Sequence, residues 1–185
     1  MKRTIASFGL AALLLLAACG DQSASLPKPL EPDEQSVAYF CHMNLTEHDG
    51  PKGQAWVTGQ DKPFWFASVG EAFTFLETEV HGGALQVVYV NDMGQGTWAN
   101  PAPGAWIDIH KATFVIGGKV PNGMEDDGPN AAPFADKAKA ETYANEIGGT
   151  VVDFEAAAKA LAVDHPHDDS HDDSHGDDHG GEDAS

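Results

Sequence analysis

Apolar residues in the central part of the chain alternate with polar ones in short runs, and these runs predict β-strands. β-branched and aromatic residues are concentrated in each run, and turn-forming residues separate them. The pattern predicts strands at residues 36–43, 54–58, 64–66, 86–90, 106–110, 113–116 and 151–154.

Two further segments have the spacing of amphipathic helices. Ser68 is followed three residues later by Glu71, a capping-box pattern, and Leu76 continues the apolar face. Asp136 begins a second helix, which Gly148 ends. Because each helix follows strands and precedes one more, the chain is predicted to be α+β, with two small ββαβ modules in tandem at 36–90 and 91–163. A single mixed sheet is the alternative.

The start of the chain has the features of an export signal. Lys2 and Arg3 precede an apolar run, and the small residues before Cys19 resemble the lipobox of bacterial lipoproteins. The resemblance implies a signal peptide at 1–18, a lipid on Cys19 and a tether at 19–35 that is rich in proline, serine and acids. An ordinary signal peptide is the alternative. Because Gly20 stands where aspartate favours inner-membrane retention, we expect the outer membrane, with the protein facing the periplasm.

Charge limits the partners. The net charge is −19, with ten basic against 29 acidic residues, which excludes nucleic acid as a partner. Nine of the acids and five histidines lie in residues 164–185, where almost nothing is apolar, so this tail is predicted to be disordered. No second apolar run is long enough to cross a membrane, so the lipid is the expected anchor.

The triplet Cys41-His42-Met43 carries the candidate chemistry. If Cys19 is lipidated, Cys41 is a lone thiol in an oxidising compartment, where disulfides are the rule. In an extended strand Cys41 and Met43 share a face, and their soft sulfur atoms suit Cu(I) better than Zn²⁺, Mg²⁺ or Ca²⁺. His42 becomes a candidate ligand if the segment is a turn. Packing is the alternative role for both sulfur side chains.

Other donors are weaker candidates. Met124 lies in a polar, glycine-flanked loop and is a candidate third ligand, whereas Met93 is more readily explained by packing. His48 and His110 are interpreted as ordinary surface or sheet residues. In the tail His165, His167, His171, His175 and His179 stand among carboxylates, a composition that suits weak binding of Zn²⁺, Cu²⁺ or Ni²⁺. A purely solubilising tail is the alternative.

The combined motifs resemble the NosL family, the copper-binding lipoproteins that accompany nitrous oxide reductase. The resemblance spans roughly residues 37–154 and is carried by Tyr39-Phe-Cys-His-Met43, Phe64-Trp-Phe66, Met93 before Trp98, Trp106-Ile-Asp108 and a late Gly-Met pair. It implies paired ββαβ modules, Cu(I) on the cysteine and methionine, and copper delivery to the reductase with its ABC-type maturation complex. Whether metal binding produces a homodimer is left open by the sequence.

Two other functions compete with a copper chaperone. A thiol enzyme would use Cys41, but the sequence offers no second cysteine at Cys-x-x-Cys spacing, so we expect no enzyme activity. A general periplasmic zinc- or copper-scavenging lipoprotein would bind metal through its tail and leave Cys41 incidental.

Overall fold

The computed structural model describes residues 25–78, 82–121 and 129–162. The segment predicted to be a signal peptide, Cys19, Met124 and the predicted tail lie outside these ranges. The main elements are β1 (Gly53–Val57), β2 (Phe64–Phe66), α1 (Val69–Glu77), β3 (Leu85–Asn91), β4 (Trp106–Asp108), β5 (Thr113–Ile116), β6 (Ala131–Phe134), α2 (Lys137–Ile147), β7 (Thr150–Val152) and α3 (Phe154–Leu161). Three short 3₁₀ turns lie at Leu45–Glu47, Met93–Gln95 and Ile109–Lys111.

The strands form two antiparallel sheets within the described residues. The first has the order β2-β1-β3-β4 and the second the order β6-β5-β7. Two sheets and three helices confirm the α+β class. Trp106–Asp108, which falls in the expected second module, pairs with β3 in the first sheet. The tandem-module boundaries stay a prediction.

One apolar core joins the two sheets. Ala55 and Val57 of β1 share a buried cluster with Phe66 of β2, Phe73 of α1 and Phe114 of β5. The helix α1 contacts strands of both sheets, and α2 covers another part of the second sheet. Because α1 serves both sheets, burial of its apolar residues stabilises the first sheet and the second together.

Side-chain caps begin both predicted helices, as the sequence indicates. The backbone N–H of Glu71 donates to Oγ of Ser68 (3.1 Å), and the Glu71 carboxylate accepts from the N–H of Ala67 (2.8 Å). Asp136 accepts from the N–H of Lys139 (3.1 Å) and so satisfies one free donor of α2. Gly148 ends that helix in the left-handed conformation, with φ 74°.

The observed strands differ from the predicted ones at several positions. The strand expected at 106–110 stops at Asp108, because that side chain caps a 3₁₀ turn through the N–H of His110. β6 lies in a segment where the sequence pattern predicts no strand. It contains Pro133 and is an edge strand, where a missing N–H costs no ladder bond. The last predicted strand ends at Val152, and Asp153 caps α3 instead.

Residues 27–31 pack on the outer face of the first sheet, whereas the sequence predicts a tether up to residue 35. The Gln54 side chain accepts from the N–H of Leu30 and donates to its carbonyl, both at 2.9 Å. Glu31 accepts from Nε1 of Trp106 (2.7 Å), and Tyr89 donates to the carbonyl of Pro27 (2.9 Å). The polar side chains of the outer face therefore fix a segment that composition alone marks as linker.

None of the helices in the described ranges has both the length and the apolar character needed to cross a bilayer.

Candidate metal centre

The segment that contains Cys41, His42 and Met43 is a turn, so the strand predicted at 36–43 is wrong. Around this turn, Val37 bridges Asn44 and Ala38 bridges Trp65. The N–H of Ala38 donates to the carbonyl of Met43 (2.9 Å), and the N–H of His42 donates back to the carbonyl of Ala38 (3.0 Å). These bonds fold residues 38–43 into a compact loop anchored beside β2.

His42 explains why the extended chain breaks here. Its φ is +56°, and it is the one residue other than glycine with a positive φ among those described. Histidine enters the left-handed region more readily than most side chains, but the conformation still costs on the order of 1 kcal/mol. The alternation that would have placed Cys41 and Met43 on one strand face is therefore absent. The turn now determines how the two sulfur side chains are presented.

Cys41 and Met43 are both half-buried, and His42 is exposed. Cys41 is a free thiol and packs against the buried cluster of Ala38, Leu45, Trp65 and Ala67. Cys41 is thus partly covered by this apolar cluster and partly exposed to solvent. This combination suits a ligand that must hold an ion and later release it.

Aromatic rings surround the base of the turn. Tyr39 makes edge contacts with Phe64 (5.2 Å) and Phe75 (5.3 Å) between ring centroids. Its backbone N–H donates to the carbonyl of Trp65 (2.8 Å), and the Trp65 ring lies 6.1 Å from that of Trp106. The aromatic packing was not anticipated from the sequence, although the cluster of Phe and Trp in 64–66 is the signal that could have indicated it.

The other candidates within the described residues, Met93 and His110, pack elsewhere in the fold. Met93 is 7% exposed and packs in the core beside α2, as a structural methionine does. His110 is exposed and lies against Phe154, with ring centroids 4.4 Å apart. Met124, Cys19, and the tail residues His165, His167, His171, His175 and His179 lie outside the described residues, so their roles stay predictions.

The described ranges contain no group of three or more His, Cys, Asp or Glu side chains that could hold a metal ion. His48 has a buried Nε2 atom with no hydrogen-bond partner and lines a cleft of about 650 Å³ beside the turn. Lys52 lines the same cleft, and sequence reasoning singled out neither its burial nor the cleft.

The half-buried cysteine and methionine of this turn supply a thiol and a thioether, which are the soft ligands that suit soft metal ions such as Cu(I). The family model described as NosL matches residues 29–162, well over half of the chain. The chain therefore belongs to the NosL family, which confirms the resemblance noted in the sequence.

Individual relatives agree with this assignment. The copper-binding lipoprotein NosL of Achromobacter cycloclastes is 35% identical over 144 residues, covering 77% of this chain and 74% of the relative. That of Stutzerimonas stutzeri is 31% identical over 149 residues, covering 79% and 75%. The crystal structure of the copper chaperone NosL from Shewanella denitrificans matches with a TM-score of 0.62 and 30% identity, over 70% of this chain and 95% of that one. These descriptions name binding proteins and not enzymes.

Proposed function

We propose that this protein is a lipid-anchored, periplasm-facing chaperone that binds Cu(I) through Cys41 and Met43. The observation that carries the proposal is the turn itself. Two sulfur side chains flank one exposed residue on a loop whose backbone is fixed to Ala38 and Trp65. The names of the relatives, copper-binding lipoprotein and copper chaperone, support the choice of metal.

The donor atoms favour Cu(I) over harder ions. A thiolate and a thioether are polarisable ligands and match a soft monovalent ion, whereas Zn²⁺ is more often held by clusters of His, Cys and carboxylates. Such a cluster does not occur among the residues described. A thiolate with Cu⁺ is also electrically neutral, so the loaded site avoids most of the cost of placing a charge beside Trp65 and Trp106.

Partial exposure allows the ion to leave. A partner ligand can approach the open side of Cys41 and Met43 and replace them one at a time, with no chemical bond of the protein broken. Binding displaces the thiol proton and release restores it, so affinity falls as pH falls. The function requires no nucleophile and no acid-base pair, and the relatives named above are described as copper-binding or copper-chaperone proteins.

Two ligands leave the coordination of Cu(I) incomplete. His42 is the nearest further donor in sequence, and the left-handed turn removes the strand geometry that would have turned it away from its neighbours. Met124 is the second candidate, and the sulfur atoms of a second copy are the third. We propose His42 or Met124 within one chain first, with the homodimer as the alternative that the measurement below distinguishes.

The proposed recipient is nitrous oxide reductase, reached with its ABC-type maturation complex, and copper is delivered for its copper centres. The lipid on Cys19 would keep the chaperone on the membrane, with the outer membrane favoured because Gly20 follows the lipidated cysteine. This assignment follows the family and the lipobox.

A second candidate function rests on the tail. Five histidines recur among nine acids in residues 164–185, a composition that binds Zn²⁺ and Cu²⁺ weakly. In this alternative the protein scavenges periplasmic metal and Cys41 has no role.

Anaerobic Cu(I) titration against a competing chelator tests both functions. We expect one tight equivalent in the wild type, lost in Cys41→Ser, weakened in Met43→Leu and kept when residues 164–185 are deleted. Sedimentation of the loaded protein then separates an intramolecular site from a dimer. If only the deletion lowers tight binding, the chaperone proposal is wrong and the scavenger replaces it.

A further inference from the structure

The exposed large apolar side chains of the described residues all precede Cys41. Leu26 is 50% exposed, Leu30 43%, Val37 46%, Tyr39 37% and Phe40 37%. Single exposed apolar residues need no explanation, but a local group of them marks a contact surface. These five residues are called the N-terminal apolar surface below.

Most of these residues are neighbours in space. Leu30 and Val37 line the same hollow of about 160 Å³, with Trp65 at its wall. The backbone of Tyr39 is bonded to that of Trp65, and the ring centroids of Tyr39 and Phe40 lie 5.0 Å apart. The rings of Tyr39 and Phe40 lie against Phe66, on the other side of β2 from Trp65, so the apolar surface passes around the edge of β2 and ends at the turn that holds Cys41.

The protein holds this surface in place with polar bonds. Gln54 binds both backbone groups of Leu30, and Tyr89 binds the carbonyl of Pro27, so residues 27–30 have a defined position. The side chain of Leu30 nevertheless remains turned toward solvent. Fixed exposure of apolar side chains is unfavourable in water, and it indicates that another apolar phase covers them.

The length of the chain before this surface identifies the covering phase. Five residues lie between the proposed lipid attachment at Cys19 and Ser25, so the α-carbons of these two residues are at most about 20 Å apart. A folded unit of this size is about 35 Å across. Because the link is shorter than the domain is wide, the face that begins at residue 25 stays close to the bilayer.

We infer that the N-terminal apolar surface rests on the interfacial region of the bilayer that anchors Cys19. The turn with Cys41 and Met43 then lies at the membrane surface and not out in the periplasm. Glu31, Asp33 and Lys62 line the same hollow, so its charges do not favour an anionic surface. The partner is accordingly a neutral phospholipid interface. The inference rests on the lipid attachment proposed above and is independent of copper binding.

Hydrogen exchange of the full lipidated protein in nanodiscs of neutral phosphatidylcholine and phosphatidylethanolamine tests the inference. The reference is the unlipidated Cys19→Ala protein in buffer. We expect exchange in residues 37–42 to slow at least threefold in nanodiscs, while α2 stays unchanged. Leu30→Ser and Phe40→Ser should remove the slowing, and Ala138→Ser on the exposed side of α2 should keep it.

Other occupants of the surface give different results. Slowing that also appears in the lipid-free protein as its concentration rises would mean a second copy and would overturn the inference. Equal hydrogen exchange in nanodiscs and in buffer would also overturn the inference, since the surface would then be a site for a protein partner. Slowing that requires anionic lipid would refute the neutral interface. If the protein fails to bind copper but hydrogen exchange still slows in nanodiscs, the proposed function is wrong and this inference remains supported.

Discussion

Replacing Gln54 tests whether the segment before β1 is part of the fold. Gln54 is fully buried, and its side chain makes three hydrogen bonds: two to the backbone of Leu30 at 2.9 Å and one from Nε1 of Trp56 at 3.2 Å. Gln54→Leu keeps the approximate volume and removes all three. At about 1 kcal/mol for each bond to Leu30, local opening of the segment becomes easier by about 2 kcal/mol.

The assay is amide hydrogen exchange at Leu30, whose N–H donates to Gln54. A change of 2 kcal/mol corresponds to roughly 30-fold faster exchange. Gln86→Leu is the matched control, because it makes the same change at an exposed position of β3. Equal exchange rates at Leu30 in the two variants would refute the docking of this segment on the sheet, and residues 25–35 would then be a simple tether.

Three further predictions concern stability. Gly70→Ala should lower the free energy of unfolding by about 1–3 kcal/mol in urea, because the new Cβ would lie 2.5 Å from the carbonyl oxygen of Pro129. Burial lowers the pKa of Lys52 to about 8, although Asp49 and Glu71 raise it. Above pH 8 the Lys52 ammonium stays protonated in the unfolded chain but loses its proton in the folded protein. The free energy of unfolding, measured relative to Lys52→Met, should therefore rise between about pH 8 and 10, by at most about 3 kcal/mol. A difference between the two proteins that does not change with pH would contradict this. His42→Gly should change stability by less than about 0.5 kcal/mol, since relief of the positive φ offsets the greater freedom of the unfolded chain, whereas His42→Val should cost about 1–2 kcal/mol; equal values would exclude backbone strain.

Local signals in the sequence were sufficient for the two predicted helices. Ser68 with Glu71 and Asp136 with Gly148 are short-range patterns, and the same atoms form the caps in the structure. The strand at Thr113–Ile116 was likewise predicted with its observed bounds, because its apolar run is continuous and buried. The α+β class follows from these elements.

The sequence-based predictions are wrong where contacts between residues distant in the chain determine the local structure. Residues 36–43 contain the β-favouring side chains Val37, Tyr39 and Phe40, yet bonds from Ala38 and Tyr39 to later residues fold them into a turn. β6 was missed because Pro133 argues against a strand unless its edge position is known. The Cys and Met ligands could be proposed from their residue types, but their turn geometry could not, since it depends on the positive φ of His42.

X-ray absorption at the copper edge, on protein loaded with one equivalent of Cu(I), tests the central claim most directly. The account predicts at least two sulfur neighbours around copper in the wild type. One should disappear in Cys41→Ser and one in Met43→Leu. A copper environment of nitrogen and oxygen alone, or a spectrum unchanged by both substitutions, would contradict it.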